Sequence, residues 1–438
     1  MKLHKLIISV SLGLLSYGTS AQSLHQVYQQ ALQGDPLIKQ AKANRDAQFE
    51  AINQSRAVLL PQVSGAISLG NSASSFSNDN KGWQTANWGG DATISLTQQI
   101  YAQGSWLSLS ISEKLATQSD AQLARAQQEL ILRVANAYFD ILQAQDQLSF
   151  VQAEKRAIER QHEQTKQRFE VGLTNITDLH EAKAQLDLSL ANEIAANNTV
   201  ENSVEVLREI TGQQHDSLDA LNTELFSPSM PSPSKSSDWI KLAQDNNLEL
   251  LNQRLAVDIA KQQINLAKSG HLPTLSASAS LGHHYNQSST TPNNYEAAAL
   301  GLVLNVPIYS GGSTTSKTKQ ATFGYVASAQ ALEQNHRAVV RHIRSNYNNV
   351  RASISSINAL TQAAKSADSA LKATDAGFQV GTRTIVDVLN STRQVYNAKQ
   401  QLSSARYSYI LSILSLKQTA GTLTERDLQQ ISTSLKQD

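Results

Sequence analysis

VGTRTIVDVLNSTRQVY, Val380 to Tyr396, has a weaker echo in VGLTNITDLHEAKAQL, Val171 to Leu186, with Gly, Ile and Asp at the same offsets. A chain that writes such a stretch twice is built from two copies of a larger unit. The unit can be traced outward from it. Leu60-Pro61 answers Leu272-Pro273, Ile100-Tyr101 answers Ile308-Tyr309, and Gly104-Ser105 answers Gly312-Ser313. Between the copies lies SPSMPSPSKSS, Ser227 to Ser237, a linker by composition.

Proline placement organises each copy. There is no Pro from Gln62 to Ser227 and none after Pro307, and from Ser105 to Val171 there is no Gly either. Since a Pro inside a helix costs roughly 3 kcal/mol, such a run permits one helix of roughly 100 Å. Leu123, Leu130, Ala137, Ala144, Val151 and Ile158 recur at heptad spacing, with Val134, Ile141 and Leu148 beside them, and Gln, Glu, Arg and Asp occupy the other faces. Ser313 to Val380 repeats the design, broken only by Gly324 and Gly377.

Period-two segments precede each long helix. Val63, Gly65, Ile67 and Leu69 alternate with small polar neighbours, as do Ile94, Leu96, Gln98 and Ile100. In the second copy Leu275, Ala277, Ala279 and Leu281 alternate with serines, and Leu300, Leu302, Leu304, Val306 and Ile308 follow. Each segment has about the 9 to 11 residues with which a tilted strand crosses an outer membrane. Polar loops, Ser75 to Gly90 and Asn286 to Tyr295, separate the strands of each pair.

The expected layout is therefore a leader over 1–21 and a first copy over 22–226, with strands near 62–71 and 91–101, a long helix over 105–171 and a return helix over 178–211. The linker, 227–237, is followed by a second copy over 238–421, with strands near 274–284 and 297–309, a long helix over 313–380 and a return helix over 387–420. A tail, 422–438, ends the chain. The leader reads MKLHKLIISVSLGLLSYGTSA: Lys2 and Lys5, an apolar run and small residues before a cut after Ala21. That run is too short to span a bilayer as a helix.

Bulk properties narrow the function. The 438-residue chain has a formal charge of +1 and no Cys, so disulfides, thiolate metal sites and a Cys-linked lipid are absent. A near-neutral chain without a basic cluster does not point to nucleic acid. No P-loop, HExxH or GxSxG motif occurs, the ten His residues are scattered, and His283-His284 reads as loop exposure at a strand end. The chain is read as a non-enzyme without metal or cofactor. A soluble exported helical or filament protein is the rival, and it leaves the alternating strands unexplained.

Four one-sided strands cannot close a membrane barrel, because the smallest single-chain barrels use about eight and an open edge strands backbone groups in lipid. The chain must share a barrel with copies of itself. Tyr101, Trp106 and Tyr309 lie where strands give way to helices, and Trp83 and Trp88 lie in the opposite loop, as two interfacial girdles would. Ordinary packing accounts equally well for any one of them. The fold class expected is α plus transmembrane β-barrel, continued by long helices that turn at Gly172 and Gly381.

VGTRTIVDVL (Val380 to Leu389), YNAKQQLSSARYSY (Tyr396 to Tyr409), GHLPTL (Gly270 to Leu275), VPIYSGG (Val306 to Gly312) and SLHQVYQQA (Ser23 to Ala31) make the chain resemble the TolC-like outer membrane factor family over essentially the whole mature length. The resemblance implies a homotrimer sharing a twelve-strand barrel, an α-helical barrel in the periplasm and an equatorial domain built from the linker and tail. It implies an exit duct for tripartite drug efflux and type I secretion, working with a periplasmic adaptor and an inner-membrane efflux pump or ABC transporter, in contact with outer membrane lipid. It also implies a gate at the tips, with Asp387 as an acidic ring and Arg383, Thr177 and Asp178 as links. Two positions depart from the family pattern: Asn390 stands where a second acid would, and Phe378 where a Tyr would. One carboxylate per chain instead of two would then line the ring, and a phenyl ring cannot hydrogen-bond Asp178. An Asp just after a Gly turn is also a natural first-turn residue that offsets the helix dipole. That reading explains why Asp recurs in both copies but not why Arg383 faces Thr174 in the other.

Overall fold

The computed structural model describes residues 21–72, 87–215, 217–223, 226–287, 294–433 and 435. Residues 1–20 of the expected leader, and Trp83, lie outside the described residues. The elements run α1 (Leu24–Gly34), α2 (Pro36–Ala57), β1 (Gln62–Ser72), β2 (Asn87–Tyr101), α3 (Gln103–Glu170), α4 (Ile176–Thr211), α5 (Ser236–Asn246), α6 (Leu248–Lys268), β3 (Thr274–Gln287), β4 (Tyr295–Asn305), α7 (Ser313–Gln379), α8 (Ile385–Thr419) and α9 (Glu425–Ser432).

The breaker-free runs form single helices of 68 residues in α3 and 67 in α7, each about 100 Å long. Neither stands alone. Going from strands to turn, α3 packs first on α2 and then on α4, while α7 packs on α6 and then α8. Each long helix is thus escorted by two shorter ones, of 22 and 36 residues in the first copy and 21 and 35 in the second. The two hairpins join mainly through α3, which touches both α6 and α8.

Where the escorts end, the main core forms. Tyr138, Phe139, Leu24, Leu207, Leu250, Ile343 and Leu414 are all essentially inaccessible there. Tyr138 and Phe139 meet edge-on at 5.6 Å, and Phe139 lies 5.8 Å from Tyr407. Buried Tyr138 donates its hydroxyl to the carbonyls of Gln22, at 3.1 Å, and Asp219, at 2.9 Å. Asp35, also buried, caps α2 at Leu37 and takes an ion pair from Arg133. Gln22 bridges Leu218, Leu221 bridges Leu435, and α9 packs on α1, so the segment after α4 and the tail both belong to this belt.

The strands form one antiparallel sheet in the order β1-β2-β3-β4. The register sorts side chains by row. Ser64, Ser95 and Ser280 share one face, while Gly65, Ile94, Leu281 and Ala298 share the other. That second face is bare: Ile67, Leu300 and Leu302 are 82%, 87% and 70% exposed. A register shift between Gln99 and Tyr101 sets Tyr101 opposite Leu275, which turns its ring toward the apolar face. Both edges, β1 and β4, lack a neighbour within the chain.

Several expected limits move. β2 begins at Asn87, so Trp88 sits in the strand on its apolar side instead of in the loop, because the Gly89-Gly90 pair continues the ladder. β4 stops at Asn305 instead of near 309, since Pro307 has no N–H to offer a ladder. The return helices start at Ile176 and Ile385, two residues before the aspartates, because Asn175 and Thr384 are the caps. β3 runs on to Gln287, so His283 and His284 lie inside the strand instead of at its end.

Gly421 ends α8 with φ 74°, and a Cβ there would come 2.1 Å from the Asn246 carbonyl oxygen. Gly421→Ala should therefore lose at least about 1 to 2 kcal/mol from the left-handed backbone alone, seen as a lower melting temperature of the purified protein. An unchanged melting temperature would show that the α8 terminus is not seated against the α5–α6 junction.

Candidate functional site

At the end remote from the sheet both hairpins turn in the same way. Gly172 and Gly381 take φ of 77° and 80° with open space around them, so the backbone angle alone selects glycine. Leu173 N–H closes on the Arg168 carbonyl at 2.8 Å, and Thr382 N–H closes on Gly377 at 2.8 Å, the six-to-one bond of a Schellman turn. The next helix is capped in each case. Asn175 accepts from the Asp178 N–H at 2.9 Å. Thr384 and Asp387 form a reciprocal box: Thr384 N–H donates to the carboxylate at 2.9 Å and Asp387 N–H donates back to the Thr384 hydroxyl at 3.2 Å.

The two aspartates therefore both serve their own turns, but unequally. Asp178 accepts the Thr174 hydroxyl. Asp387 accepts from the Thr384 N–H and hydroxyl, which hold its carboxyl below the usual aspartate range, helped by the nearby Arg383 guanidinium. Asp387 remains half-exposed and Asn390 exposed, one helical turn apart on the side of α8 away from buried Ile385 and Leu389. Arg383 folds its stem over Gly377, where an added Cβ would lie 2.8 Å from its Cγ. Within the single chain, among the described residues, neither Arg383 nor Thr177 bonds Asp178.

A contact does cross between the hairpins at this level. The Arg168 guanidinium of α3 lies 4.7 Å from the Phe378 ring centroid of α7. Beneath it Ile158, Ile385 and Leu389, with Leu186 and Phe378 packed on them, form a small core separate from the main one and fed by all four tip helices. Above that core opens a groove of ≈ 880 Å³ with Arg160, Arg168, Lys372 and Asp375 on its walls and Val388 and Thr392 in its lining. At the outermost turns Val171, Leu173, Ile176 and Val380 are 70%, 69%, 47% and 76% exposed. Four apolar side chains thus stand bare at and beside the two glycine turns. Neither Arg168 nor this apolar rim stands out in the sequence, although valine and leucine in a turn that ordinarily takes polar residues is a readable sign.

At the sheet end Tyr101, Trp106 and Tyr309 are 42%, 56% and 88% exposed, and Trp88, 60% exposed, lies near the loop ends of the strands. Among the described residues no cluster of His, Asp or Glu could hold a metal ion, and no helix is long and apolar enough to cross a membrane.

A family model described as outer membrane efflux protein matches residues 27–213 and again 239–422. The chain is 48% identical over 443 residues to the outer membrane protein TolC of Vibrio cholerae serotype O1, covering 99% of both chains. It is 30% identical over 432 residues to the alkaline protease secretion protein AprF of Pseudomonas aeruginosa, covering 95% of this chain and 88% of that one. It is similar in fold to the Campylobacter jejuni CmeC outer membrane channel, with a TM-score of 0.79 at 16% identity over 100% and 98% of the two chains.

Because the depressed carboxyl of Asp387 contributes to the cap only while ionised, that contribution is complete above the ordinary aspartate range and is lost as pH falls through the lowered value. Acid should thus deprotect the first amides of α8 in hydrogen exchange corrected for intrinsic rates. Thr384→Ala, which removes about 1 kcal/mol of capping, should deprotect them already at neutral pH. Equal protection in variant and parent would dismiss the box as a determinant of the turn.

Proposed function

The chain belongs to the outer membrane efflux protein family, and on that premise we propose how it works. It is an outer-membrane channel for efflux and type I secretion, with its helical part in the periplasm. The observation that carries this is the four-stranded sheet with one bare apolar face and two unpaired edges. In lipid those edges must close, and pairing β4 of each copy with β1 of the next in a threefold ring gives a twelve-strand barrel with no edge left. The apolar face then meets lipid and the serine-rich face lines the pore. The chain works with efflux or secretion partners. In our reading these are a periplasmic adaptor and an inner-membrane efflux pump or ABC transporter, and the apolar rim of Val171, Leu173, Ile176 and Val380 is the adaptor's footing.

The tips are the gate. Three copies of Asp387, one helical turn from Asn390 on an exposed face, put a negative ring at the end of the helical tube. Arg383 sits beside that ring, and Thr177 and Asp178 stand at the corresponding turn of the first hairpin. The closed arrangement within each chain is supported by Arg168 on Phe378 and by the small tip core, each modest: an exposed cation–π contact gives about 0.5 to 1 kcal/mol. A partner that covers the rim can outweigh contacts of that size.

Planar-bilayer recordings of the purified protein test this directly. Asp387→Ala should reduce cation preference and block by multivalent cations, and Asn390→Asp should tighten the block; unchanged selectivity and block in both would remove the ring from this position. Arg383→Ser and Phe378→Ala should each raise the resting conductance. Conductance equal to the parent in both would leave the gate held by something else.

A further inference from the structure

One row of the sheet differs from every other described row on the pore-lining face. Toward the helices that face carries small residues such as Ser64, Thr93, Ser95, Ser278 and Ser280, with Gln62, Gln99 and Val303 among them, and none of these is charged. Near the loop ends, however, Ser68 on β1, Asp91 on β2, His284 on β3 and Tyr295 on β4 stand directly opposite one another. Among the described residues of the strands, Asp91 and His284 are the charged or titratable pair of this face other than Tyr295. The four side chains are linked into one chain across the sheet. Ser68 donates to Asp91 at 3.2 Å, His284 Nδ1 meets the other carboxylate oxygen, and the imidazole stacks on the Tyr295 ring at 4.5 Å and 22°. Among the described residues of the strands, the other ionisable groups at this level, His283, Tyr285 and Glu296, lie on the opposite face of the sheet.

We propose that this row, repeated in each copy of the trimer, forms a second charge-selective ring at the outer mouth of the duct, acting on ions and charged solutes as they leave. It rests on the trimeric duct proposed above, with the polar face inward. A carboxylate facing Nδ1 requires that nitrogen to carry the hydrogen, so Nε2 is the atom that takes up or gives back a proton. With the imidazole neutral each chain presents one net negative charge to the pore. With it protonated the Asp91–His284 pair is a zwitterion and the ring is neutral. Cation preference at the mouth is therefore present while the imidazole is neutral and lost when it is protonated. The stack on Tyr295 and the bond from Ser68 fix both groups, so the charge stays in one plane instead of spreading along the strand.

The test uses purified trimers carrying Asp387→Ala, so that tip charge does not mask the mouth, in planar bilayers under a KCl gradient. At about 0.01 M salt, where the screening length of about 30 Å spans the pore, the pH is changed on each side in turn between about 8 and 5. Acid on the loop side should lower the cation-to-anion permeability ratio by about two-fold or more. Adding His284→Gln should abolish that response while keeping the cation preference, and adding Asp91→Asn should lower the preference at both pH values. A loop-side response that survives in His284→Gln, or a selectivity that Asp91→Asn leaves alone, overturns the ring while leaving the duct in place. Absence of any conducting trimer would overturn the duct itself, and the ring with it.

Discussion

The constraint on which the rest depends is that a backbone N–H or C=O in hydrocarbon must find a partner. One chain supplies four strands and leaves β1 and β4 open, so membrane insertion and oligomerisation cannot be separate events. The closed barrel fixes the radius at which α3 and α7 depart, and thereby the width of the tube below. The register shift before Tyr101 belongs to the same requirement. It re-aims the strand where sheet becomes helix, setting Tyr101 on the apolar face as the chain leaves the sheet.

Stability along the molecule is graded. The belt around Tyr138 and Phe139 draws side chains from each of α1 to α9, α2 contributing Ile38, and hydrogen bonds from Tyr138 tie in both the segment before α1 and the segment after α4. The tip has its own core of a few residues and a single cation–π contact between hairpins. Regions with few buried apolar contacts open at lower free energy than the body that carries them. The thin end can therefore move without loosening the belt, and each hairpin keeps its internal ties, such as Lys155 to Glu193 at 2.7 Å, while it does so.

Much of this architecture is legible in the sequence because it rests on periodicity and on breakers. The duplicated glycine turns, the Pro-free and Gly-free runs and the alternating strands each report a local backbone preference. The misreadings share a cause. Gly89 and Gly90 look like a loop, yet their ladder bonds are supplied by strands distant in sequence. His283 and His284 look like the exposed end of a strand until β3 is seen to continue through them. The tip contacts of Arg168 with Phe378, and the row from Ser68 to Tyr295, join residues from separate elements, and nothing in either local stretch announces its partner. Asp178 and Asp387 show the opposite case. Their capping bonds are local and were open to inference from the turns, whereas a role across the threefold axis depends on the neighbouring copies.

The matched lengths of the two hairpins have a further implication. With α3 and α7 at 68 and 67 residues and their return helices at 36 and 35, both turns reach the same plane. A single inserted residue in one long helix would rotate everything beyond it by about 100° and expose a buried stripe. Whole turns inserted together in both hairpins, in the outgoing and returning helices alike, would instead leave every packing row in phase. The duct can therefore change length without redesign of barrel, belt or tip only in coordinated steps of several residues.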